Sequence, residues 1–277
     1  MIARKQRTVL LAALLGLSLL AFPRVASSYS SPPELLYAQA NRQEGFWSSL
    51  WRRLTGRPSG MGTSGSTSKG GANHDRCLYT TEELLALVPT STETGIPYLE
   101  PVLTGYPTWW FYVPYAGNGR LEAEFVLIDS AETILPEEAI AITVPSAPGV
   151  MAVSWPETEP PLSPGETYRW VFSIRCNPTN RSGDATVNGW VQRATPDEAA
   201  ALMADLSEAQ NPYQVLADSL YWFDLLAELN TLKPTDPQRF SPLWDGLLCQ
   251  VYAQSDRLTR LTANCPDLST LSLPEPN

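Results

Sequence analysis

An α+β fold, an antiparallel β-sandwich followed by a C-terminal helical segment packed on it, is predicted by three observations. Apolar residues alternate at period two in short runs between Tyr98 and Arg193, with turn-forming residues separating the runs. After Arg193 the period changes to that of a helix and capping signals appear. One run, "TWWFYV" (Thr108–Val113), is aromatic on both faces, so each face needs a cover.

The chain opens with Arg4, Lys5 and Arg7, followed by the apolar run Val9–Phe22, which stops at Pro23. A basic start, a run of this length and small residues after it describe a secretory signal peptide, read as residues 1–27. The run falls short of the roughly 20 apolar residues that cross a bilayer comfortably. Cleavage follows Ser27 or the A-x-A of Ala38–Ala40. No later segment is apolar enough to cross a membrane, so no span is expected after cleavage.

Residues 28–74 hold an amphipathic segment and a linker. In "EGFWSSLWRRLTG" (Glu44–Gly56), helical spacing puts Phe46, Trp47, Leu50, Trp51 and Leu54 on one stripe, with Arg52 and Arg53 opposite. Such a helix lies on an anionic membrane, enters a partner's groove, or folds back onto an apolar patch of its own body. The Gly/Ser-rich stretch Gly56–Asp75 reads as a flexible linker, and Gly65–Lys69 within it lacks the spacing of a phosphate loop.

The body is read as a sandwich over residues 75–194. Its strands are expected at Thr108–Val113, Leu121–Asp129, Ala139–Val144, Val150–Trp155, Tyr168–Cys176 and Ala185–Arg193, with one more near Tyr98–Leu103. In "PPLSPGETYRWVF", Leu162, the turn Pro164-Gly165 and Tyr168 resemble the approach to a late strand of immunoglobulin-like sandwiches, where a tyrosine bonds back to nearby backbone. Trp170, Phe172 and Ile174 then share the core face.

Residues 195–277 form the helical region. Thr195 is a natural N-cap, with Pro196 at the first helical position and acids behind it. Pro212–Leu232 is apolar over more than half its circumference, so it is buried on two sides or paired with another helix. A third helix is expected over Ser241–Ala253, capped by Ser241. Helices need an apolar surface and the aromatic strand needs a second cover; packing one on the other, with Trp110 and Tyr112 beneath, answers both. The alternative is an exposed sugar-binding platform built from Trp109, Trp110, Tyr112, Tyr115 and Trp155.

Cys77, Cys176, Cys249 and Cys265 are an even set in a chain expected to be exported, which argues for disulfides. Three pairings are possible. Cys77 with Cys176 brackets the strand-rich region and Cys249 with Cys265 lies within the tail, which favours that set. No C-x-x-C pair exists and the single histidine, His74, sits in the linker, so no zinc site is expected.

From Cys77 onward there are 9 Lys and Arg against 26 Asp and Glu, whereas residues 28–76 hold 6 basic against 3 acidic. So acidic a body repels phosphate backbones, which excludes nucleic acid as a partner. A histidine-based triad has no histidine outside the linker, and no G-x-S-x-G elbow is present. Carboxylate pairs remain: Glu122 and Glu124 share a strand face, and Asp129 and Asp184 stand at strand ends.

"YPTWWFYVPY", "AEFVLID", "PPLSPGETYRWVFSIRCNPTNRSGDATVNGWVQR" and the tail's "LYWFDLLAEL" together resemble an exported cyanobacterial family, domain-of-unknown-function family 928, over roughly Cys77–Leu248. The resemblance implies a secreted or cell-envelope protein and supplies no catalytic residues. Members of the family carry aspartate where Asn177 stands here, and the pair Cys249 and Cys265 is particular to this chain. The expectation is therefore a non-catalytic, cofactor-free envelope module that contacts a protein or polysaccharide. Its runners-up are a carbohydrate-binding module and a two-carboxylate glycosidase.

Overall fold

The computed structural model describes residues 50, 83–90, 97–117, 121–177 and 179–252. The described residues from 83 on form eight strands: β1 (Leu85–Ala86), β2 (Leu99–Val102), β3 (Thr108–Val113), β4 (Glu122–Ile128), β5 (Ile134–Thr143), β6 (Gly149–Ser154), β7 (Thr167–Arg175) and β8 (Ala185–Arg193). Four helices follow: α1 (Pro196–Glu208), α2 (Pro212–Asp218), α3 (Trp222–Thr235) and α4 (Pro237–Tyr252). The class is α+β, as the change of period after Arg193 implies.

The strands form two sheets, ordered β1-β3-β6 and β2-β8-β7-β4-β5. Period-two patterning decides which side of each strand is buried. In β4, Ala123, Phe125 and Leu127 turn inward, and in β7 Tyr168, Trp170, Phe172 and Ile174 do. The sheets meet through rings: Phe111 of β3 stacks on Phe172 of β7 with centroids 4.0 Å apart, and meets Trp170 edge-on at 5.8 Å. Trp109 leans on Phe125 at 4.7 Å. Each such ring buries a large apolar area, and the ring pairs add about 0.5–1.5 kcal/mol apiece beyond that burial.

The approach to β7 carries the turn chemistry legible in its sequence. Gly165 has φ +77°, a conformation glycine adopts without steric cost. The Ser163 amide donates to the Tyr168 hydroxyl over 3.0 Å, so the tyrosine ties the start of β7 to the loop before it. Leu162 is buried beneath that loop.

Four expectations need correction. β2 pairs parallel to β8, with Leu99 opposite Trp190 and Val102 opposite Arg193, so the two sheets are mostly rather than wholly antiparallel. Pairing between strands so distant in sequence leaves no turn signal to read. β5 begins at Ile134, earlier than Ala139, and runs through Pro136, Glu137 and Glu138. It is the last strand of its sheet, where a residue lacking an N–H is tolerated. The apolar stretch from Pro212 is two helices, because Leu220 takes a positive φ of 61° and breaks the hydrogen-bond run. Finally, α4 begins at Pro237, so Ser241 lies inside the helix and is not its cap.

Thr195 caps α1 as its sequence requires. The Thr195 hydroxyl accepts from the Glu198 amide and the Glu198 carboxylate reaches back to the Thr195 amide over 2.9 Å, completing a capping box. These bonds hold the Glu198 carboxyl below its usual range.

Candidate functional site

β3 carries four consecutive aromatic residues, Trp109–Tyr112, among them rings expected to form a binding surface. Its inward face, Trp109 and Phe111, faces the large sheet, and Phe223 of α3 closes on Trp109 with centroids 5.9 Å apart. On its other face Trp110 meets Trp244 of α4 edge-on at 5.2 Å, and Trp244 in turn stacks on Phe240 at 5.3 Å. The Trp222 indole N–H donates to the Leu87 carbonyl over 2.6 Å, fastening α3 beside β1. Helices therefore cover the second face of the aromatic strand.

Trp109, Trp110, Tyr112, Tyr115 and Trp155 are all between 0 and 9% exposed. A ring that stacks on a sugar must offer its face to solvent, so the open aromatic platform anticipated as an alternative is absent at these five positions. The Trp155 indole is also committed, donating to the Pro160 carbonyl over 2.8 Å.

The carboxylates most suggestive of paired chemistry are committed as well. They gather around the β7–β8 connection, the segment Cys176–Asp184. Glu124 accepts from Arg181 at 2.7 Å and pairs with Arg175 at 3.2 Å, while Glu122 stands 3.7 Å from Arg175. Asp184 takes Nε of Arg181 at 2.5 Å on one oxygen and the Cys176 amide at 3.1 Å on the other. The Arg181 guanidinium is raised above its ordinary value, chiefly by its hydrogen bond to Asp184.

Two asparagines fold the loop tip: Asn177 accepts from the Thr179 amide and hydroxyl, and Asn180 from those of Ser182. Asp129 accepts the Ala131 and Thr133 amides at 2.9 and 2.8 Å and so shapes the β4–β5 turn. Every one of these acids holds a loop or an arginine. A two-carboxylate hydrolase needs instead an acid of raised pKa facing an ionised partner across open space.

A further acid is perturbed, and no motif marks it. Asp224, in the first turn of α3, accepts the Leu103 amide over 3.0 Å, tying the end of β2 to the helix. Burial pushes its carboxyl up to about 6, against the opposing pull of backbone N–H groups at Leu103, Asp224 itself and Thr104. The readable signal was a lone acid in "WFDLL", between Phe223 and Leu225, both buried. Nearby, burial raises the Tyr221 phenol, with Glu198 and Asp224 adding to the effect.

Of the amphipathic stripe, Leu50 is described, and it is helical, 3% exposed and part of the hydrophobic cluster that spans sheets and helices. It is thus not open to a membrane or a partner. Phe46, Trp47, Trp51 and Leu54 lie outside the described residues. Neither Cys176 nor Cys249 is a free thiol, and Cys77 and Cys265 lie outside the described residues. Among the described residues, no group of three or more His, Cys, Asp or Glu could hold a metal ion, and no helix is long and apolar enough to cross a membrane.

The class defined by these features is a two-sheet α+β protein whose polar clusters bind its own loops. The family model for the Domain of Unknown Function DUF928 matches residues 64–257, which takes in β1–β8 and α1–α4, and the chain belongs to that family. Comparison with curated proteins and with solved structures finds no match.

Proposed function

We propose that this is an exported, non-catalytic protein of the cyanobacterial cell envelope, periplasmic or at the cell surface, acting as a structural or protein-interaction module. The observation that carries this reading is that the groups best suited to chemistry or sugar stacking are consumed internally: the rings by the core, the acids by arginines and loop amides. Among the described residues, two large apolar side chains stay exposed, Met203 on α1 at 57% and Ile134 on β5 at 53%. Isolated exposed apolar side chains are ordinary. Met203, however, sits on a helix that presents Asp197, Asp205 and Glu208 and no basic residue, a surface suited to a basic partner.

The same reading treats the sandwich as immunoglobulin-like. Support comes from the strand order, with β2 parallel to the last strand β8, and from the Ser163–Tyr168 hydrogen bond at the start of the penultimate strand. It also takes Cys77–Cys176 and Cys249–Cys265 as the disulfides, consistent with an oxidising compartment.

The test is site-specific photocrosslinking from position 203 in intact envelopes of the native host. A discrete protein adduct that disappears when Asp197, Asp205 and Glu208 are neutralised is the expected result. Adducts to polysaccharide, or turnover of a glycan by the purified chain, would replace the reading with a carbohydrate-directed one.

A further inference from the structure

We propose that the free edge of β6 is a docking site for an extended, basic segment of a partner protein, which adds to the smaller sheet as a further strand. This rests on the protein-interaction reading of the function in requiring a protein partner, and it names a surface apart from α1.

Topology leaves the edge open. β3 pairs with β1 on one side and β6 on the other, and among the described residues no strand pairs with the far side of β6. The Trp155 amide donates to the Pro107 carbonyl over 2.9 Å, which sets the phase of the antiparallel ladder. Met151 and Val153 therefore turn their backbone groups toward β3, while Val150, Ala152 and Ser154 turn theirs away. Edges are usually guarded by charge or proline, as Pro136, Glu137 and Glu138 guard β5. Gly149–Ser154 contains neither.

The core is unfinished on the same side. β1 meets β8, α3 packs on β2 and β3, and the rings of β3 sit over β7 and β4, so β6 lies toward β5. Inward residues of β4 and β7 are buried, whereas Leu135, Ile140 and Ile142 of β5 pack against the core and stay partly exposed. A Cβ added to Gly149, on the side of Met151 and Val153, would meet nothing within 4 Å. A strand laid along β6 fills this space with alternate apolar side chains and bonds its backbone to Val150, Ala152 and Ser154.

Charge selects the occupant. Residues 121–168, which include β4, β5 and β6, hold 9 Asp and Glu and no Lys or Arg. Glu137 and Glu138 on β5 and Glu157 just after β6 are exposed. A strand with Lys or Arg at its outward positions meets complementary charge, whereas a second copy of this chain brings the same acids and is repelled.

Hydrogen exchange read by NMR at single amides of the complete chain tests the site, with a synthetic peptide of alternating valine and lysine as the probe. The peptide is expected to slow the amides of Val150, Ala152 and Ser154 at least ~10-fold and to leave those of Met151 and Val153 unchanged. A peptide of alternating valine and glutamate should give no protection. Ala152→Pro, at a position whose N–H points away from β3, should abolish the effect while β7 and β8 stay protected. Glu137→Gln combined with Glu157→Gln leaves the edge backbone intact and should weaken binding about threefold. The site is overturned if the lysine peptide leaves the three amides unaffected, if the glutamate peptide protects them equally, or if protection falls on β5 instead. Slowing without peptide that grows with protein concentration would also overturn it, because that marks pairing between copies. Loss of the adduct from position 203 would sink the α1 surface and not this one, since purified chain and peptide alone are compared here.

Discussion

Trp170 owes its seat to the absence of a side chain opposite it. Gly189 is its cross-strand partner on β8, and a Cβ there would come within 2.4 Å of the indole. Gly189→Ala is therefore expected to cost about 1–3 kcal/mol through overpacking, read as a lower urea midpoint with an unchanged slope. Asp224 offers a prediction with a sign. Its carboxyl titrates near 3.8 ordinarily and at about 6 in the folded protein, so the folded state keeps the proton longer. Its contribution is fully present below the unfolded value and is lost as pH rises through about 6. Comparing parent with Asp224→Asn by urea unfolding at pH 4 and pH 7, the parent should lose on the order of 2 kcal/mol relative to the variant. A difference that does not change with pH would show that the carboxyl is solvated. At this scale alternation announced which rings turn inward, as with Trp109 and Phe111. The role of Asp224 was hidden because its partner amide lies 121 positions away in sequence.

Strands with strict alternation were legible to within a residue or two, since burial on one face leaves little choice of register. β8 spans Ala185–Arg193, the limits its alternation implies, whereas β3, buried on both faces, spans Thr108–Val113, the aromatic run between Pro107 and Pro114. β1, with two residues, is too short to show a period. The break at Leu220 was illegible for a different reason: no glycine or proline marks it. α1 is held differently. Its main buried residue is Leu202, so its first turn depends on the Thr195–Glu198 box more than on core contacts. Thr195→Ala should cost about 1 kcal/mol. The loss should be local, with faster exchange of amides in the first turn of α1 and unchanged rates in β7 and β8. An equal acceleration everywhere would mean that α1 unfolds only with the whole body.

For the whole molecule, the sequence conveyed an acidic body with helices laid over an aromatic strand, and the contact of Trp110 with Trp244 is that arrangement in one pair of rings. The burial of Leu50 joins the early part of the chain to the same cluster. It was less legible, because an amphipathic stripe specifies an apolar surface without saying whose. Non-reducing peptide mapping is expected to yield Cys77–Cys176 and Cys249–Cys265; recovery of either crossed set would mean that strand region and tail are stapled to each other. β5, finally, ends its sheet with a row of backbone groups that no described strand pairs, the kind of edge on which fibrils grow. Pro136 removes one donor from that row, and Glu137 and Glu138, both exposed, place like charges wherever two such edges meet in register. Without the two glutamates the proline is the remaining safeguard, so replacing both by glutamine should lower the protein's resistance to edge-to-edge polymerisation, and concentrated solutions should show the loss first.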